Sequence, residues 1–477
     1  GRGGGAASGG GAAVSGRTEA VAAAARAFDD GRFRAALAEL VAYRTESQGG
    51  GIPAELDRYL AEAMRPRFEA LGFGCEVHAN PSGHPGRFLV ARRHEGDQLP
   101  TVLSYGHGDV IRGYEERWSE GLSPWRLVER DERWYGRGSA DNKGQHLANL
   151  MALEAVLATR GRLGFNAIWL IEMGEEAGSP GLEAFCAAHR EELAADLLIA
   201  SDGPRLAAEK PTLFMGSRGV MNFDLVCALR EGGHHSGNWG GLLANPGVIL
   251  AHALASIVSR FGQIRVAGWR PAEIPADIAR AVRDLPVGTG AGLPEIDPAW
   301  GEPGLTAGEK VYAWPSFEVL AFTCGDPAKP ANAVPPRAEA RCHLRFVPPL
   351  RPDQIVPILN AHLHERGFDR VTIVPHEAMA ATRLSPEHPL VRWAAASITA
   401  TTGKPTALLP NLGGSLPNAV FAETLGLATL WVPHSYAGCS QHAPDEHVLP
   451  GLARESLELM AGLWWDLGEG WPEGEGA

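Results

Sequence analysis

Residues 100–109 read PTVLSYGHGD. Val102, Leu103 and Tyr105 make a short apolar run of the kind buried in a sheet, and it ends abruptly on His107-Gly108-Asp109. The same pattern returns three times. Phe165–Ile171 (FNAIWLI) runs into Glu172-Met173-Gly174-Glu175-Glu176, Asp196–Ala200 (DLLIA) into Ser201-Asp202-Gly203, and Leu427–Val432 (LATLWV) leads ten residues later to His442. Helical patterns lie between them, over Gln145–Ala158, Leu390–Thr399 and Leu452–Leu467. Buried strands separated by helices predict an α/β fold with a mixed, largely parallel sheet. Ligands in such sheets bind at the carboxyl ends of the strands. Four strand ends therefore offer histidine and carboxylate to one crevice, and Gly138-Ser139-Ala140-Asp141-Asn142-Lys143-Gly144, at a loop-to-helix entry, adds Asp141.

Outward from these strands the pattern changes. Val220–Leu229 alternates like a half-exposed strand, Pro246–Val258 is helical, Phe317–Phe322 and Ala338–Phe346 are strands, Pro352–Glu365 is helical, and Asp369–Pro375 is a strand. That β-α-β-β-α-β order is the split βαβ, ferredoxin-like signature. Residues 262–315 within it are loop-rich, with many Pro and Gly. The expected organisation is a flexible segment at 1–16 and a catalytic domain built from 17–212 and 378–477. An α+β domain, 213–377, is inserted between those two parts. The 477 residues are too many for one ordinary core, which agrees with two domains.

Composition excludes several classes. The apolar share of 45% and charged share of 21% are those of a globular chain rather than a disordered one. A net charge of −13 with no basic block argues against a nucleic-acid partner. No apolar run is long enough for a transmembrane helix, so no membrane partner is expected. The six cysteines form no CxxC pair, which argues against a cysteine–zinc site or disulfide framework and suits a reducing, cytoplasmic compartment.

Each polar piece has an ordinary reading alone: a satisfied histidine, a solvated Glu-Glu turn, an Asp capping a helix. Together they do not. His107 and His442 among Asp109, Asp141, Glu175, Glu176 and Asp202 would repel unless positive charge sat among them. Divalent metal ions supply it, and histidine and carboxylate ligands without cysteine suit a catalytic zinc or manganese. The ligand count suggests two ions bridged by one carboxylate, an arrangement that holds a hydroxide at neutral pH. One of Glu175 and Glu176 would bind metal and the other would carry protons. Asp109, two residues after His107, suits holding its imidazole tautomer.

The pieces GHGDV, YGRGSADNKG, EMGEEAGSPG, SDGP, GHHSGNWGG, NAVPPRAEARCHLRFVP, GGSLP and HAPDE, in that order, resemble the di-metal amidohydrolase and exopeptidase family. That family includes carnosinase, cytosolic non-specific dipeptidase, glutamate carboxypeptidase, the acetylornithine and succinyl-diaminopimelate deacylases, and aminoacylase. The likeness spans roughly residues 20–465, and the long insertion at 262–315 and HSGNWGG look most like the carnosinase and dipeptidase branch.

The resemblance implies particular roles. His107, Asp141 and Asp202 would hold one metal, and Asp141, Glu176 and His442 the other. Glu175 would be the general base and acid, Asp109 would orient His107, and the peptide bond after Asp141 would be cis. The inserted domain would be a lid and dimerisation domain. Its His235, or the adjacent His234, would reach a neighbouring subunit's site and stabilise an oxyanion. Asn332 and Arg345 would hold substrate from the lid, Arg345 pairing with a carboxylate, although Arg341 shares its side-chain phase. Gly413-Gly414-Ser415 would cradle the same carboxylate.

Gly108 stands where much of the family has a bulky residue, which predicts a more open rim at the first metal. Asp202 takes a ligand position that some aminopeptidase-type and aminoacylase-type members fill with Glu. The carnosinase-type lid threonine is Asn332 here, as in the wider family.

The expected activity is metal-dependent hydrolysis of a C–N amide or peptide bond in a small carboxylate-bearing substrate, of dipeptidase or exopeptidase type. It would use two divalent ions per subunit, zinc first and manganese or cobalt as alternatives. N-acyl-amino-acid deacylation is the second reading, and a non-catalytic dimeric binding protein the third. Substrate and a homodimer mate are the expected partners.

Overall fold

The computed structural model describes residues 16–287 and 294–472. The expected flexible segment falls outside them except for Gly16, which already begins helix α1 (Gly16–Asp29); α2 is Arg32–Ala42. The chain then builds six strands of one sheet: β1 Gly74–His78, β2 Phe88–Arg93, β3 Thr101–His107, β4 Asn166–Glu172, β5 Leu197–Ala200 and β6 Thr212–Phe214. Helix α3 (Lys143–Arg160) joins β3 to β4, and α4 (Leu182–Ala188) joins β4 to β5.

A second, four-stranded antiparallel sheet follows: β7 Gly219–Ala228, β8 Ser316–Thr323, β9 Arg337–Phe346 and β10 Thr372–Met379. Helices α5 (Pro246–Ile257) and α6 (Pro352–Glu365) cover one of its faces. Its strand order, β8-β9-β7-β10, is that of a split βαβ unit, as the alternation predicts. The chain returns through α7 (Pro389–Thr402), β11 (Ala407–Leu409), β12 (Ala428–Trp431) and α8 (Pro450–Glu469).

The large sheet runs β1-β2-β4-β3-β5-β12-β6-β11. The pairs β3/β4, β3/β5, β5/β12 and β6/β11 are parallel, and β1/β2, β2/β4 and β12/β6 antiparallel. It is the mixed, largely parallel sheet that the buried runs predict. Every residue of β4 is buried because helices cover both faces. From β3 the chain goes to β4 on one side, then crosses back to β5 on the other. The carboxyl ends of β4, β3, β5 and β12 consequently share one edge, and β3 opens onto the crevice between the crossing connections.

The lid sheet is buried on its helix side only. Its edge strand β8 leaves Val319, Leu320 and Phe322 42%, 54% and 45% exposed. Arg341 and Arg345, which share a phase on β9, have different surroundings: Arg341 pairs with Asp224, whereas Arg345 donates to Ser415 Oγ at 2.6 Å.

Candidate active site

His107 closes β3 and is fully buried. Its Nε2 lies 3.1 Å from Asp141 Oδ1 and 3.5 Å from Asp202 Oδ2. Its Nδ1 faces the carbonyl of Asp109 at 3.1 Å and the Asp109 carboxylate at 3.4 Å. On the other side of Asp141, Oδ2 lies 3.1 Å from His442 Nε2, which is also 2.9 Å from Glu176 Oε2. Two groups of donors result, His107/Asp141/Asp202 and Asp141/Glu176/His442, the atoms of each lying within 4.8 Å of one another. Asp141 belongs to both. The bond joining Asp141 to Asn142 is cis, as the resemblance implies.

The cluster is assembled by backbone donors aimed at carboxylates. Buried Asp109 accepts from Ser47 Oγ at 2.6 Å and from the amides of Glu175 and Glu176 at 3.1 and 3.0 Å. It therefore sets the Glu175-Glu176 turn as well as facing His107. Buried Glu446 accepts from the amides of Gly138, Ala140 and Asp141, each at 3.0 Å, and pairs with Arg137 at 2.9 Å. It fixes the loop that carries Asp141. Asn142 donates to the carbonyl of Ser201 and accepts from the amide of His107, tying β3 to β5. Sequence reasoning assigned no role to Glu446, Asn142 or Ser47. The first two stand inside the quoted motifs, which was the only signal; nothing marked Ser47. His442 has φ 59°, a left-handed backbone rare outside glycine, as do Ser440 and Asp445 in the same loop.

Electrostatics here is that of crowded carboxylates. Burial, and then Glu176, Asp202 and Asp141, hold the Glu175 carboxyl well above the usual range against the pull of His107. Burial and Asp141 also push Glu176 up. Hydrogen bonds to Asp141 and Glu176 hold the His442 imidazole above its ordinary value. Asp202 Oδ2 is buried with no hydrogen-bond partner among the described residues. Imidazole nitrogens and carboxylate oxygens without sulfur, an excess of negative charge and an unused buried oxygen fit divalent metal ions.

Asp141, Glu175, Asp202, Gln441 and His442 line a cavity of about 270 Å³, closed by Gly414 and Ser415 from the 412–416 loop. Ser415 Oγ accepts from Arg345 and donates to the Arg218 carbonyl at 2.6 Å. Gly413 turns its carbonyl to Arg218 Nε at 2.8 Å and does not line the cavity. The expected open rim at Gly108 is absent. A Cβ there would come within 2.3 Å of the Tyr59 ring and 2.8 Å of the Met173 sulfur, so these side chains already fill the space.

The lid residues lie apart. Residues 234–235 pair with Ala333–Val334 in a two-stranded ribbon; His235 is exposed, and its Nδ1 accepts from the amide of Gly237 at 3.1 Å. Asn332 is also exposed, and its carbonyl receives Ser236 N at 2.8 Å. His234 is partly covered by Trp239. None of these three lines the cavity of their own chain.

An α/β sheet with histidine and carboxylate donors gathered at its strand ends, and a further carboxyl, that of Glu175, 3.7 Å from His107 Nε2, fits a metal-dependent hydrolase. Residues 103–466 match the model of Peptidase family M20/M25/M40, and the chain belongs to that family. The cysteinylglycine-S-conjugate dipeptidase of Corynebacterium striatum is 28% identical over 347 residues, 69% of this chain and 71% of the relative. The Beta-Ala-His dipeptidase of Homo sapiens is 36% identical over 180 residues, 37% of this chain and 35% of that protein. Among solved structures, an M20 family metallo-carboxypeptidase from Sulfolobus solfataricus superposes with a TM-score of 0.78 at 23% identity, covering 92% of this chain and 99% of its own. Human carnosine dipeptidase 1 gives 0.70 at 22% identity, covering 94% and 100%. These likenesses carry the fold, and the family carries dependence on divalent metal. No helix among the described residues is long and apolar enough to cross a membrane.

Proposed function

We propose that the chain is a di-metal dipeptidase, hydrolysing the amide bond of a small substrate with a free carboxylate. The observation that carries this reading is that Asp141 is common to two three-donor groups while Glu175, in the same cavity, belongs to neither. His107, Asp141 and Asp202 would hold one ion, and Asp141, Glu176 and His442 the other. Bound there, divalent ions supply Lewis acidity toward the scissile carbonyl and toward water. Glu175, with its raised affinity for a proton, takes one from water and returns it to the leaving amine. Asp109 keeps His107 and the Glu175-Glu176 turn in register.

Arg345, with no carboxylate of the chain within salt-bridge reach among the described residues, receives the substrate carboxylate together with Ser415 and the amide of Gly414, while Gly413 holds the loop through its carbonyl on Arg218. Residues 213–377 act as the lid, inserted between 17–212 and 378–477. The exposed apolar edge of β8 is the face on which a homodimer forms. His235 and Asn332, exposed and outside their own cavity, serve the partner's site, with His235 steadying the oxyanion. Six cysteines, free of disulfides among the described residues, suit the cytoplasm.

The Corynebacterium striatum and Homo sapiens relatives, both dipeptidases, support dipeptides as the substrate class over N-acyl amino acids. A panel of dipeptides, their C-terminal amides and N-acyl amino acids, each with zinc, manganese or cobalt, tests the reading. The expectation is turnover of free dipeptides, with amidation raising KM. Preference for N-acyl amino acids would make the chain a deacylase; turnover of neither would overturn hydrolysis.

A further inference from the structure

We propose that the chain holds a third divalent metal ion, of the zinc class, on His78, His189 and Glu192, away from the catalytic cluster. His78 ends β1, while His189 and Glu192 follow α4. Their donor atoms lie within 4.8 Å of one another. His78 Nε2 and Glu192 Oε1 face each other at 3.5 Å, and both are buried without a hydrogen-bond partner. Two donors of a tetrahedral zinc, each about 2.0–2.1 Å from the ion, stand about 3.3–3.4 Å apart, so this gap has the right width. His189 Nδ1 is hydrogen-bonded to Glu192 Oε2 at 2.7 Å, a contact that must widen for both atoms to ligate.

The rings are held for the purpose. Phe185 packs on His78 and His189, at 5.3 and 4.3 Å between centroids, and the two imidazoles meet at 4.6 Å. Glu76, exposed and on the same face of β1 as His78, brings a carboxylate oxygen to 4.0 Å from His78 Nε2 and can serve as a fourth ligand. Arg92 stands 3.2 Å from Glu192 Oε1. Its half-exposed side chain can turn to solvent when an ion takes its place.

The site is separate from the catalytic one. His78 pairs with Phe88, Phe88 with Glu172, and Glu172 with His107, so the two clusters lie in one row across three strand spacings, about 14 Å. The ion would clamp the edge strand to the far end of α4, the helix that follows the Glu175-Glu176 turn. Its role is to stabilise the fold, and no chemistry is required of it.

The test is zinc titration of the whole chelator-stripped 477-residue chain by calorimetry, with bound metal counted after dialysis. Wild type should take about three ions, and His78→Ala/His189→Ala about one fewer, with dipeptide turnover retained. Glu192→Gln, which keeps the packing, should weaken the same step should the double variant fail to fold. Asp141→Ala, stripped of the catalytic pair, should still bind about one ion and melt higher with it, which separates this site from the catalytic assignment. Equal zinc content in wild type and the variants, or an Asp141→Ala chain that binds none, would overturn the third site.

Discussion

At the carboxyl edge of the large sheet, the candidate site is held by a frame of buried hydrogen bonds. Asp141 sits between His107 and His442, its loop is pinned by three amides on Glu446, and the adjacent turn is pinned by two amides on Asp109. On the lid, His235 lies in a two-stranded ribbon and Asn332 just before its second strand, both exposed, with hydrogen bonds only to their own neighbourhood. The first region is organised before substrate or metal arrives. The second gains a role only when something is brought to it. A buried cluster of like charges needs a rigid frame, because each carboxylate left unpartnered costs free energy, whereas an exposed loop histidine costs nothing while it waits.

The strongest way to break this contrast is Asp141→Ala. A bridge serves both ions, so activity should vanish and metal analysis should find both catalytic equivalents lost. Full activity with normal metal content would end the di-metal reading. The next effect joins the two regions. Glu175→Gln should lower turnover by about 10²–10⁴ with both catalytic metals retained. His235→Ala should lower it by about 10²–10³, about 3–4 kcal/mol, again with metal unchanged. A heterodimer of these two variants has one site with intact Glu175 and the partner subunit's His235, and it should recover part of the activity. Heterodimers as dead as their parents, from a chain that sediments as a monomer, would leave the lid histidine without a function across subunits. The smallest effect probes the frame itself. Glu446→Gln removes the charge that gathers the Gly138, Ala140 and Asp141 amides but takes away none of the proposed metal-donor atoms. It should weaken metal binding by about 10–100-fold while leaving turnover at saturating metal near wild type. Unchanged affinity would mean that the loop is held by other contacts.

The four buried runs were legible because parallel strands covered on both faces are nearly continuous apolar segments, and their polar termini stand out. Residues 101–107, 166–172, 197–200 and 428–431 lie within about two residues of where the pattern places them. The lid's alternation was also legible, although its last strand, expected at 369–375, runs over Thr372–Met379. The edge strand β1 and its neighbour β2 escaped notice, as did the three-residue strands β6 and β11. Short or half-exposed strands have too few residues to show a period.

The linear chain alone determined which residue types would meet at one edge of the sheet, since a strand that ends in His or Asp delivers that group wherever its neighbours' carboxyl ends lie. Family resemblance then proposes which of them are ligands and which is the proton carrier. Only the folded chain decided the rest. Arg341 and Arg345 have one phase on one strand, yet one is neutralised by Asp224 and the other reaches Ser415. Gly108 suggests an open rim until Tyr59 and Met173, from distant segments, are seen to fill it. Glu446 holds three amides that lie about 300 residues earlier. Hydrogen bonds and packing act over a few ångströms in space, and no local pattern records which distant backbone amides or side chains will arrive within that reach.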